Sequence, residues 1–135
     1  MNTTYTFKQT SLASLIAGAG TAVICLTWRT AHEAITGFSV PQIVHTTGIT
    51  MSSFIPLIVA GIIYFFVQKL GAKGRVGYSI GTVVLGLLSL WGTFNQPMPD
   101  GSATPAAFTM LTLPMHFVSM AGALLLPRIA ARLNP

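Results

Sequence analysis

Four stretches without a single Asp, Glu, Lys or Arg, Gln9–Trp28, Ala34–Gln68, Val76–Pro99 and Gly101–Pro127, constrain this chain more than any motif in it. Each reaches the roughly 20 residues an α-helix needs to cross a hydrocarbon core of about 30 Å. In lipid the backbone amides must be satisfied inside the segment, so long apolar runs read as helices, and barrel strands of about ten alternating residues fit poorly. The spacing predicts an all-α integral membrane four-helix bundle. Its spans run Ser11–Ala31, Ile49–Leu70, Val76–Thr93 and Ala106–Arg128 within one transmembrane domain over residues 1–135.

Composition agrees: 7% of residues are charged, against about 25% in a soluble domain, and the mean hydropathy is +0.70. The first span follows Lys8 and contains small residues, as a secretory signal does, but its apolar run exceeds the roughly 7 to 15 residues of such a signal core. It reads as a retained span. The net charge of +5 suggests nucleic acid only superficially, because the basic residues flank apolar spans and form no continuous basic face. Membrane lipids with anionic headgroups are the expected partner, and nucleic acid is not. With four spans, Lys8, Lys69, Lys73, Arg75, Arg128 and Arg132 share a side and Arg29 lies on the other, so the positive-inside rule expects both termini in the cytoplasm. The expected location is therefore a membrane, crossed several times, with the termini on its cytoplasmic side. The outer side then carries a loop over about Ala34–Gly48 and the turn-rich "NQPMPDGSATP", Asn95–Pro105.

The fourth span poses the chemical question. "TMLTLPMHFVSMAGALLL" carries Pro114 and His116 near the expected membrane centre. Positions 3, 4 and 7 apart share a helix face, so Thr109, Thr112, Ser119 and Ala123 lie with His116. Similar stripes are Ser14, Gly18, Thr21 and Cys25 in the first span and Thr82, Gly86, Ser89 and Thr93 in the third. Ser53, Ala60 and Tyr64 make a weaker one in the second. Because little hydrophobic force acts between helices in lipid, small residues and hydroxyls that bond across are expected to face inward. Pro114 removes an amide donor and crowds the Met110 carbonyl, which frees an acceptor and bends the helix. Pro56 is a second proline inside a span, read as a tolerated kink.

Two readings of His116 stand side by side: a contact to a ligand, proton path or metal, with Thr109, Thr112 and Ser119 as further ligand-binding candidates, or an interhelical hydrogen bond that fixes the bundle. No carboxylate, lysine or second histidine accompanies it at its depth. Arg29 and Glu33, four residues apart, are candidates for an interfacial pair worth about 0.3 to 0.5 kcal/mol. "HEAIT" begins like a zinc-protease helix but has Thr36 where the second histidine is required. His32 with His45 is a remote two-histidine possibility, and no metal or cofactor is expected. Cys25 is the one cysteine, which rules out an intramolecular disulfide. "NTT" at Asn2 matches a glycosylation acceptor, irrelevant on the cytoplasmic side.

"FKQTSLASLIAGAGTAV", "PLIVAGIIYFF" and, above all, "LPMHFVSMAGALLLPRIAARL" resemble a family of small bacterial four-span membrane proteins catalogued as a domain of unknown function. His116 sits at the family's Leu-x-Met-His histidine; Pro114 departs from the pattern. The resemblance covers nearly the whole chain and implies four membrane helices, a bacterial cytoplasmic (inner) membrane location and no established activity. The expected function is a membrane module that binds a lipid, a hydrophobic small molecule or another membrane protein. The alternatives are an oligomeric transporter or channel subunit, self-associating around a His116-centred site, and, more weakly, a membrane enzyme.

Overall fold

A computed structural model describes residues 4–39, 44–98 and 100–133. Asn2, residues 40–43 of the first expected outer loop and Pro99 of the second lie outside the described residues. The elements are α1 (Phe7–Thr36), α2 (Thr46–Val67), a 3-10 turn (Gln68–Leu70), α3 (Gly71–Ser89), α4 (Trp91–Asn95) and α5 (Ala106–Arg132). No strand occurs among the described residues. Three helical stretches, Phe7–Thr36, Thr46–Asn95 and Ala106–Arg132, are long and apolar enough to cross a membrane.

Helix α1 starts about a turn before the expected span because Thr6 and Gln9 form a capping box. The Thr6 hydroxyl accepts from the Gln9 amide and the Gln9 side chain accepts from the Thr6 amide. It ends where Gly37 adopts a left-handed conformation and returns its N–H to the Glu33 carbonyl at 2.9 Å. The 50-residue stretch Thr46–Asn95 would measure about 75 Å as one straight helix, more than twice the hydrocarbon thickness. It does not run straight. Tyr64 and Tyr78, which would lie about 21 Å apart along one axis, have ring centroids 4.9 Å apart.

The reversal is built from the 3-10 turn and Gly71, at φ 68° and ψ −139°, a combination that only glycine adopts readily. Gly74 then lies so close to α2 that a Cβ there would collide with the Val67 carbonyl. The residues between the second and third expected spans, Lys73 and Arg75 among them, are therefore the first turns of α3 and not a loop.

Side-chain contacts fix how the helices run. Gly61 of α2 packs on Ser14 of α1 so closely that a Cβ would strike the hydroxyl, and Gly18 of α1 faces Phe54 of α2, so these two are antiparallel. Gly122 of α5 meets Thr21, and the Trp28 indole N–H donates to the Leu111 carbonyl at 3.0 Å, so α5 is antiparallel to α1. Tyr78 Oη donates to the Ala123 carbonyl at 2.9 Å, and Ser89 meets His116, so α3 runs against α5.

Both described chain ends arrive at the end of the molecule that holds the Gln68–Gly71 reversal. Gln68 accepts from the Tyr5 amide at 2.7 Å and donates to its carbonyl at 2.8 Å, while Gln9 Nε2 donates to the Leu133 carbonyl at 3.4 Å.

On α1 burial is inverted relative to a protein in water. The buried face of α1 is Thr10, Ala13, Ser14, Ala17, Gly18, Thr21, Ala22, Cys25 and His32, whereas Leu15, Ile16, Val23 and Ile24 point outward. On the far side Leu85, Leu88 and Trp91 are 63%, 65% and 75% exposed. A surface of this kind would aggregate in water and is at home among acyl chains. The inward stripe expected of α1 holds fully, and Ser53 and Tyr64 of α2 are buried with Ala60 half-buried. The third is mixed: Thr93 is buried, Thr82 and Gly86 are half-buried and Ser89 is exposed.

The hydroxyls themselves mostly turn back onto their own helix. Ser14 donates to the Thr10 carbonyl at 2.9 Å, Ser53 to Ile49 at 2.8 Å and Thr112 to Phe108 at 2.9 Å. Such a back-bonded hydroxyl is satisfied wherever its helix goes, so it tolerates burial without specifying a partner. The expectation that these stripes bond across helices is met at few positions.

Candidate functional site

The face of α5 around His116 is the candidate site. Pro114 sits inside a helix that continues unbroken to Arg132, because α5 is supported on two sides by α1 and α3. The proline's crowding loosens carbonyls in the preceding turn, and Trp28 of α1 takes up one of them, that of Leu111, at 3.0 Å. Half-buried Thr109 crosses to the Thr93 carbonyl at 2.9 Å and so ties α5 to α4. Thr112 is also half-buried and back-bonded, and Ser119 is half-buried one turn beyond His116.

His116 Nδ1 lies 2.9 Å from Ser89 Oγ across the α3–α5 seam. Ser89 Oγ also lies 2.6 Å from the Gly86 carbonyl, which can only accept. A hydroxyl has one proton, and the shorter contact to Gly86 takes it. Ser89 then accepts from Nδ1–H, and Nε2 carries a lone pair at a half-buried position. The approach is close because Gly86 has no side chain: a Cβ there would press on Met120 of α5.

This pair is a poor start for covalent catalysis. A serine nucleophile needs its proton drawn toward the imidazole, and the imidazole needs a carboxylate to orient it. Here the proton goes to a backbone carbonyl. The chain's two carboxylates, Glu33 and Asp100, are both exposed, one at the end of α1 and the other in the α4–α5 connection. What the arrangement offers chemically is a single acceptor nitrogen in an apolar seam, suited to a hydrogen-bond donor on a small amphipathic molecule.

The remaining sequence candidates separate from this site. Pro56 is exposed inside α2. Arg29 donates from Nη1 to Thr46 Oγ1 at 3.0 Å, joining α1 to the start of α2, while Glu33 lies exposed. His32 is 3% exposed, with its ring against Trp28 and Phe38 and its Nε2 without a partner, whereas His45 is exposed. Among the described residues no group of three or more His, Cys, Asp or Glu is arranged to hold a metal ion. Cys25 is a free, buried thiol.

Two anchors escaped the sequence reading. Gln68 clasps the chain near Tyr5, and Tyr78 reaches Ala123; both are polar tips on apolar segments, signals shared with many residues that do nothing of the kind. Ser89 stood on an expected stripe, but nothing in the sequence pairs it with His116. Compared with family models, curated proteins and solved structures, the chain matches none.

Proposed function

We propose that this chain is an integral membrane module of four antiparallel crossings, with both ends in the cytoplasm of a bacterium, that binds a lipid, a hydrophobic small molecule or another membrane protein. The observation that carries this reading is the burial on α1, which turns small and hydroxyl-bearing residues inward and large aliphatic ones outward, beside an outer surface rich in exposed Leu, Ile and Val. The reversal at Gly71 supports counting Thr46–Asn95 as two crossings. The likeness of "LPMHFVSMAGALLLPRIAARL" to the last span of the small four-span family is in keeping with that count. Lys8, Lys69, Lys73, Arg75, Arg128 and Arg132 cluster at the end that holds both described termini, which supports a cytoplasmic orientation for that end. His116 Nε2, free to accept in a half-buried seam, supports a ligand contact there.

The test is cysteine labelling in a Cys25→Ser background. Asp100→Cys is expected to react with an impermeant maleimide in intact cells, and Lys8→Cys and Arg132→Cys only after permeabilisation. Reaction of Lys8→Cys and Arg132→Cys on opposite faces rejects the proposal.

The half-open α3–α5 seam also favours a second reading, an oligomeric transporter or channel subunit in which His116 lines the path. Flux of a small solute in proteoliposomes that disappears in a folded His116→Gln variant is the outcome that selects it.

A further inference from the structure

Helix α3 carries little of the packing: among its residues only Gly74 and Tyr78 are buried. Along its outer face run two adjoining apolar depressions that share Ile80, one lined by Lys73, Val76 and Gly77 and the other by Val83 and Val84. Lys73, Gly77, Ile80 and Val84 recur at spacings of 4, 3 and 4, so they form one straight stripe. Gly77 leaves the first depression open, since a Cβ added there meets nothing within 4 Å. Gly61, Gly86 and Gly122, by contrast, are consumed by contacts inside the molecule.

We propose that this groove binds an anionic phospholipid of the surrounding leaflet, one acyl chain along Val76–Val84 and the phosphate at Lys73. This rests on the membrane reading above and names a lipid and a site apart from His116. Two features select the occupant. From Lys73 to Val84 the stripe is about 16 Å long, close to the depth of one leaflet's hydrocarbon, about 15 Å. The one charge in the groove is a cation, and it sits at the membrane-surface end. A lysine in a helix leans toward the helix N-terminus, which for α3 is that same end, so its ammonium reaches the headgroups while its methylenes cover the chain.

A second copy of the protein fits less well. A two-fold pair standing upright in the membrane would set each Lys73 against its own equivalent, a like-charge contact at the membrane-surface end of the interface.

The experiment is native mass spectrometry of the full chain, purified in a non-ionic detergent with equimolar phosphatidylglycerol and phosphatidylcholine. One phosphatidylglycerol is expected to be retained in preference to phosphatidylcholine. Lys73→Ala is expected to lower that retention roughly fivefold, the worth of one lysine at an anionic surface. Gly77→Leu, which fills the depression where a side chain meets no neighbour, is expected to abolish it. Arg132→Ala, which removes a charge at the same end but off the groove, is expected to leave it intact.

Equal retention of both lipids, or equal losses in Lys73→Ala and Arg132→Ala, overturns the proposal. So does a lipid-free dimer that Gly77→Leu splits, which would assign the face to a second copy. Any of these leaves the membrane reading standing, whereas a chain that the labelling finds uninserted removes both.

Discussion

His116 and Ser89 form a polar contact between α3 and α5, and its worth in lipid is modest, about 0.6 kcal/mol on average and about 1.7 at most. A double-mutant cycle of His116→Ala and Ser89→Ala in reversible detergent unfolding is expected to return a coupling in that range. A coupling of zero removes the contact as a structural element. Gln68 makes the larger local contribution, because it satisfies both backbone groups of Tyr5 at once. Gln68→Leu is expected to cost about 1 kcal/mol or more and to release the segment before α1, read as faster proteolysis near Tyr5. At the other end the Asp100 carboxylate accepts from the Ser102 hydroxyl and amide, which holds it below the ordinary carboxylate range. The sign follows from the lowered value: the bond supports the turn above that range and is lost as pH falls through the lowered folded value. In a pH titration followed by NMR, the Ser102 amide is expected to shift with a midpoint below that of a free aspartate, and a midpoint at or above it refutes the assignment.

At the scale of elements, close approach and one turn decide the packing, so glycines on the two kinds of surface respond in opposite ways. Gly61→Ala pushes a methyl into Ser14 and is expected to destabilise by about 1 to 3 kcal/mol. Gly71→Ala forces an alanine to φ 68°, with a cost of similar size, and is expected to loosen the Tyr64–Tyr78 contact. Gly20→Ala meets open space and is expected to be neutral or stabilising by up to about 1 kcal/mol. Unfolding midpoints of the three variants in one detergent check this order. A Gly61→Ala variant as stable as Gly20→Ala would mean that α1 and α2 do not approach as described. Pro114 is borne for a related reason: α5 is held by Trp28, Tyr78 and Thr109 at several heights, so a local defect in its backbone bonding does not break it.

For the molecule as a whole, lipid reverses the usual logic of a core. Burying aliphatic side chains gains little there, so cohesion comes from backbone proximity at small residues, from a few cross-helix bonds and from three stacked clusters. Tyr64 and Tyr78 sit with Leu126 at the terminus-bearing end, Leu57 with Ala123 in the middle, and Met98 with Phe108 and Leu111 at the far end. The charge distribution along this axis is lopsided, and shifting it is expected to disturb orientation before it disturbs fold. Replacing Lys69, Lys73 and Arg75 together with Gln is expected to yield a mixture of labelling patterns in the Asp100→Cys reporter while helicity by circular dichroism stays unchanged. A single, unaltered pattern would count against a charge-set orientation.

The sequence by itself determined the helical class, the presence of long apolar helices and the inward stripe of α1, since each follows from local facts: runs without charge, and periodicity along one helix. It also marked His116 and its face. What it did not contain is which helix answers which. Ser89 is one of several hydroxyls at similar depth, and only the α3–α5 approach at Gly86 brings it to His116. Nor did it contain the fate of the hydroxyls, because back-bonding and cross-bonding use the same residues, and the choice is set by whether another backbone lies within reach. The tight reversal at Gly71 and the close approach of Gly61 to Ser14 are likewise properties of distance between segments, which no single helix can encode and only their assembly fixes.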